Sequence, residues 1–138
     1  MSHDSGISPQ CFFECSGLYE IVIPSSITFI GREAFYKCEN LRKVVLPSTI
    51  KSIEEGTFRE CHSLVDINIP SSVTAINDNA FRNCKYLSHI EIPSSVSFIG
   101  KGAFYKCDSL DRKDIPSSFH QLAFEPTPDK NLDTEDIN

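Results

Sequence analysis

Residues 41–46 read LRKVVL, with Val44 and Leu46 on one side of the chain and Lys43 and Val45 on the other. The same rhythm returns at 18–23 (LYEIVI), 64–69 (LVDINI) and 87–92 (LSHIEI). Alternation of this kind, rich in β-branched side chains, predicts a short half-buried strand. A proline follows each run, at Pro24, Pro47, Pro70 and Pro93. Proline has no N–H to give to a ladder and stops the strand. The Ser-Ser or Ser-Thr pair after it supplies hydroxyls suited to a turn. The rest of each unit has to return to the next strand, through a second extended piece and a short turn of helix around Ala-Phe.

The interval between units is constant. Pro24, Pro47, Pro70, Pro93 and Pro116 are spaced by 23, and so are Cys15, Cys38, Cys61, Cys84 and Cys107. Phe12, Phe35, Phe58, Phe81 and Phe104 keep the same step, as do Leu18, Leu41, Leu64, Leu87 and Leu110, and Ile30, Ile53, Ile76 and Ile99. A fixed period of this length signals stacked units. Residues 23–41 and 92–110 agree at 13 of 19 positions. What they share beyond the other units (Phe29 with Phe98, Tyr36 with Tyr105, Lys37 with Lys106) reads as a three-unit duplication, the alternative being a spaced pair of surface contacts.

Energetics explain the repetition. One unit offers about eight inward apolar groups, each worth roughly 1.5–3 kcal/mol when fully buried. Ordering its backbone costs on the order of 1–2 kcal/mol per residue. A single unit cannot stand alone, and stacking supplies both burial and strand partners. The expected fold is a right-handed repeat solenoid with a parallel β-sheet on one side and rungs about 4.8 Å apart.

The unit L-x-x-I-x-I-P-S-S-I-x-x-I-x-x-x-A-F-x-x-C resembles the BspA-like (treponemal-type) leucine-rich repeat. Period, Ile-Pro-Ser-Ser, Ala-Phe and Cys coincide over about residues 7–122. The resemblance implies a curved leucine-rich repeat solenoid of α/β to mainly β class, with the parallel β-sheet on its concave face. It also implies a place among surface proteins of host-associated bacteria and some parasitic protists. Those proteins look like adhesins for host matrix or plasma proteins, or for other cells. On that footing the chain is expected to be a non-catalytic protein-binding module at the cell surface or secreted. The alternative is an intracellular or self-assembling scaffold.

Charge and the chain ends refine this picture. The 19 acidic and 13 basic residues give a net charge of −6, but residues 125–138 hold five acids and one base. The other 124 residues carry 14 acids and 12 bases. A nearly balanced solenoid has no basic field for nucleic acid or an anionic membrane. No apolar run approaches the roughly 20 residues of a membrane span. The start, MSHDSGISPQ, lacks the basic and apolar regions of a secretory signal, which favours the cytoplasmic alternative. Nor is there an Asn-x-Ser/Thr sequon. Ile7, Cys11 and Phe12 fall in the columns of Ile30, Ala34 and Phe35, so the chain opens part-way through a unit. That predicts a fragment of a longer protein, or an open end covered by a partner, self-association included. At the other end, Leu110–Pro116 is expected to form a fifth strand whose inward Lys113 discourages edge pairing. The pattern fails after Leu122, which predicts a solenoid over 1–122 and an acidic, disordered tail over 123–138.

Six cysteines raise the question of disulfides. Five stand in one column and are read as buried thiols packing as small hydrophobes, with Cys11 in the small-residue column of Ala34, Ala80 and Ala103. A stacked disulfide or a thiophilic metal site is the alternative, although metal ligands converge rather than form a row. His3, His62, His89 and His120 show no metal spacing, and the Ser-Ser pairs are explained as turns. A nucleophile elbow, a phosphate-cradling glycine loop and a CxxC pair are all absent. Neither catalytic residues nor a cofactor nor a metal is expected, and the chain is not read as an enzyme.

The expected contact surface is the solvent side of the concave sheet. One column runs Glu20, Lys43, Asp66, His89, Arg112 and its neighbour runs Val22, Val45, Asn68, Glu91, Asp114. Lys43 between Glu20 and Asp66 equally suits cross-strand ion pairs that merely stabilise the sheet. A second candidate stripe is Phe13, Tyr36, Arg59, Arg82, Tyr105. Aromatics and arginines are favoured at interface hot spots, but such side chains also shield a core with their stems.

Overall fold

The computed structural model describes residues 5–127. Among the described residues nine short strands, β1 (Gly6–Ile7), β2 (Glu20–Val22), β3 (Phe29–Ile30), β4 (Lys43–Val45), β5 (Ser52–Ile53), β6 (Asp66–Asn68), β7 (Ala75–Ile76), β8 (His89–Glu91) and β9 (Phe98–Ile99), precede a closing helix α1 (His120–Ala123). Pairing is parallel and always 23 residues apart: Glu20 lies opposite Lys43, Asp66 opposite His89, Ala75 opposite Phe98. The molecule is therefore a β-solenoid in which each unit adds one longer and one shorter strand to the stack.

The alternation read in the sequence sets the burial. Val44, Ile67 and Ile90 point inward while their strand neighbours are exposed. Leu41, Leu64 and Leu87 are completely enclosed. Phe12, Phe35, Phe58, Phe81 and Phe104 form a ladder of nearly parallel rings with successive centroids 5.1, 5.4, 5.5 and 5.3 Å apart. Apolar columns at one spacing thus become one continuous core.

The second extended piece is present as β1, β3, β5, β7 and β9. The helical turn around Ala-Phe is not. Left-handed residues bracket that segment in every unit: Glu33 and Lys37 at φ 56° and 64°, Glu60 at 59°, Asn79 and Asn83 at 59° and 61°. A left-handed residue ends a right-handed helical turn, so the chain forms successive tight turns instead. Their amides alternate in direction: Ala34, Tyr36 and Cys38 donate to carbonyls three residues back, whereas Glu33, Phe35 and Lys37 donate to Glu55, Thr57 and Arg59 of the next rung. The turns are a third ladder of the stack.

The expected fifth strand is also replaced. Residues Arg112–Asp114 form one turn of 3-10 helix, with the Asp111 carboxylate accepting from the Lys113 amide. A lysine at the inward position cannot be buried without a partner, and the turn carries Lys113 out to solvent. Closure comes from residues further on. Gly102 and Phe104 donate to the carbonyls of Leu122 and Ala123, Ala123 is fully buried, and Phe124 extends the ring ladder at 6.4 Å from Phe104. Residues 123–127 therefore pack on the stack, and 128–138 lie outside the described residues.

Candidate functional site

The longer strands bring the first predicted set together in two halves. In the first half Glu20 pairs with Lys43 and Val22 with Val45 in register, and all four side chains are exposed. Val22 and Val45 are 70% and 41% exposed, which gives this half an apolar stripe. Glu20 takes its ion pair from Arg42 at 3.4 Å, a residue outside the predicted set. Both members are well exposed, so the pair adds at most a few tenths of a kcal/mol.

In the second half Asp66 lies opposite His89 and Asn68 opposite Glu91. Asp66, Asn68, His89 and Glu91 line a shallow hollow of about 260 Å³. A neighbouring hollow of about 460 Å³ continues over Asn68, Glu91, Ile92 and Pro93 to Lys113 and Asp114. Asp114 thus reaches the face from the 3-10 turn rather than from a strand. Arg112 does not contribute in the same way: its guanidinium lies 4.0 Å from the centre of the Phe124 ring and helps hold the end of the stack. His120 joins the same closure, its Nε2 lying 2.8 Å and 2.6 Å from the carbonyl oxygens of Arg112 and Ile115. Lys113, Ile92 and Pro93 were missed as lining residues. A lysine in an otherwise apolar column was the signal for the first.

The second predicted stripe is not an open surface. Tyr36, Arg59 and Arg82 are 3%, 4% and 4% exposed, and Phe13 at the first rung is the exposed member. Arg59 lies 5.3 Å from the Tyr36 ring centre and Arg82 lies 5.0 Å from that of Tyr105, the stacking expected of adjacent rungs. Asn79 and Thr127 complete the set, since Arg82 Nη1 donates to the Thr127 carbonyl and hydroxyl oxygens at 3.0 Å and 2.6 Å, and that hydroxyl donates to Asn79 Oδ1.

The cysteine column has its own geometry. The Sγ atoms of Cys38, Cys61, Cys84 and Cys107 each donate to the carbonyl of the preceding rung's phenylalanine, at 2.9–3.1 Å. Burial raises the thiol of Cys38 to about 11 and that of Cys107 to about 12, and pushes Cys61 and Cys84 well up as well. Such thiols are poor nucleophiles. Cys11 departs from its expected buried place and is exposed, because no rung precedes it among the described residues. Among the described residues no helix is long and apolar enough to cross a membrane.

The repeat geometry has counterparts. The family model described as the BspA type leucine-rich repeat region matches residues 5–126 in six copies. The chain belongs to that family. Two solved relatives support it: a leucine-rich cell surface protein from Faecalibacterium prausnitzii A2-165 is 31% identical over 90% of this chain and 33% of its own, with a TM-score of 0.76. A leucine-rich repeat protein from Bacteroides ovatus ATCC 8483 is 38% identical over 63% of this chain and 23% of its own, with a TM-score of 0.62. A third, from Eubacterium ventriosum ATCC 27560, is 21% identical with a TM-score of 0.58 over 89% of this chain and 36% of its own, and shares the fold. This BspA-type chain thus spans a quarter to a third of the length of the first two. No curated protein matches it. BspA-type repeats form a scaffold suited to protein interaction and ordinarily without catalytic chemistry.

Proposed function

We propose that the chain is a non-catalytic protein-binding module that contacts its partner through the longer-strand face. The observation that carries this reading is the second half of that face. Asp66, Asn68, His89 and Glu91 stand in register on two paired strands and border open hollows that no core residue fills. Acceptors at fixed spacing beside a histidine suit a polar or basic partner segment, and repeat faces of this kind serve extended protein contacts. The place of action is a cell surface, as part of an adhesin that contacts host matrix or plasma proteins or other cells. In support, a relative that overlaps nine-tenths of this chain is itself called a cell surface protein. Protease shaving of intact cells that make the protein tests this: loss of the chain from the shaved cells is expected. A chain left whole by shaving, but cleaved once the cells are opened, would place it inside and overturn the adhesin reading.

A further inference from the structure

The longer-strand face changes chemistry along the stack. Its first two rungs carry Val22 and Val45 side by side, with Glu20 against Arg42 and Lys43, a net charge of +1. Its next two carry Asp66 and Glu91 beside Asn68 and His89, a net charge of −2 with the histidine neutral. All of these side chains are exposed. An apolar patch thus adjoins an anionic one on a single surface, and an occupant that is only apolar or only basic matches half of it.

The anionic half has a defined shape. Asp66 faces His89 and Asn68 faces Glu91, so the two carboxylates stand on the diagonal of four paired residues. A strand spacing near 4.8 Å and a step of about 6.7 Å between alternate residues put that diagonal at about 8 Å. Carboxylates so placed do not touch, and a planar guanidinium fits between them with hydrogen bonds to both. The hollow of about 260 Å³ over these residues leaves room for it.

The distance between the halves selects the backbone of the occupant. Val22, Val45, Asn68 and Glu91 share one column, so the middle of the valine pair and the middle of the anionic pair are two rungs apart. The ring ladder keeps its step across the junction, 5.4 Å between Phe35 and Phe58. Two rungs on the strand side therefore come to about 10 Å. A polyproline II segment has three residues per turn and rises about 3.1 Å per residue, which sets residues i and i+3 on one side about 9.3 Å apart. A β-strand presents same-side residues at about 6.7 or 13.4 Å and misses this step. An α-helix, about 10–12 Å across, is wider than two columns about 6.7 Å apart.

We infer that the longer-strand face takes a polyproline II segment of a partner protein, with an aliphatic residue on Val22 and Val45 and an arginine, three positions away, between Asp66 and Glu91. The inference rests on the proposed function, because it names the occupant of the same face.

Fluorescence anisotropy of the chain with labelled synthetic peptides tests it. Each peptide carries one leucine and one arginine in a proline-rich frame, with spacings of two, three, four or five positions and in both orders. In one order the peptide with a spacing of three should bind at least about fivefold more tightly than the rest. Val22→Thr with Val45→Thr, and Asp66→Asn with Glu91→Gln, should each weaken that peptide at least about fivefold. The second pair of substitutions should change the binding of a peptide with glutamine in place of arginine by less than about twofold, which a misfolded variant would not do. Equal binding at every spacing, tightest binding at another spacing, or an equal loss for the arginine and glutamine peptides would overturn the inference. Self-association of the chain that the valine substitutions abolish would also overturn it, since a second copy would then hold the face. So would an absence of binding by every peptide; host proteins captured through Lys43 and His89 would in that case leave the proposed function standing.

Discussion

Gly102 shows how much one backbone position can carry. Its φ is +69°, and a Cβ there would meet Asn79 Oδ1 at 2.6 Å, the Glu125 carbonyl at 3.0 Å and Thr127 Cγ2 at 3.2 Å. Gly102→Ala should therefore destabilise the chain by roughly 1–3 kcal/mol, from a side chain in left-handed backbone and a crowded closure. Gly17→Ala, with nothing within 4 Å, should stay within about 0.5 kcal/mol of wild type. Urea unfolding of the two variants checks both. The buried thiols give a pH dependence with a definite sign. Unfolded thiols titrate near about 8.5, and burial raises Cys38 to about 11 and Cys107 to about 12. Above that unfolded value the unfolded chain releases protons that the folded chain keeps, so stability is full below it and falls as pH rises toward 11–12. The urea midpoint should drop between pH 8 and 10.5, and a Cys61→Ala, Cys84→Ala variant should drop less steeply. An equal slope in that variant would show that other groups govern the alkaline limb. At this scale the inward residues were legible because their period is fixed. The left-handed positions were not, because Glu33, Lys37 and Glu60 occupy them where glycine would have been the signal.

At the scale of elements, the stack is not uniform. The longer strands pair as β2–β4 and β6–β8, and the shorter ones as β1–β3 and β5–β7–β9. Both strand ladders lapse between the second and third rungs, while the turn ladder crosses there, from Phe35 to Thr57 and from Lys37 to Arg59. The amides of Thr28, Thr74 and Ser97 donate to the preceding rung at 2.6, 2.8 and 2.9 Å, and among the described residues the equivalent bond of Lys51 is not made. Native-state hydrogen exchange should find the Lys51 amide at least about tenfold faster than those of Thr74 and Ser97, with Phe35 and Lys37 protected. Equal protection at Lys51, Thr74 and Ser97 would contradict a lapse. Strands were legible where apolar alternation was intact. The run Asp-Arg-Lys-Asp at 111–114 kept the spacing but lost the apolar residue, and Asp111 as a cap was the clue that a turn would form there. The closure by Phe124 and Thr127 could not be read, since it depends on the chain doubling back across rungs far away in sequence.

For the whole molecule, the BspA-type repeat makes a scaffold suited to protein interaction, with regular faces along the stack. The two predicted surfaces come out unequally. The longer-strand columns remain exposed through Glu91, with Asp114 added from the turn, whereas the tyrosine-arginine stripe is buried at Tyr36, Arg59 and Arg82. Sequence periodicity could assign side chains to faces, but not show that Thr127 would return to Asn79 and Arg82. The central claim is that partners meet the face of β2, β4, β6 and β8. The most direct measurement is titration of an immobilised chain with a panel of host matrix and plasma proteins, beside the Lys43→Glu, His89→Glu double variant. Both positions are exposed, so the variant should keep the wild-type far-UV spectrum, with a slightly lowered urea midpoint because the new carboxylates stand opposite Glu20 and Asp66. Saturable binding of at least one panel member is expected, with at least about tenfold weaker binding by the variant, a difference of about 1.4 kcal/mol. Binding of equal affinity by the folded variant, or no binding by the wild-type chain across the panel, would contradict it.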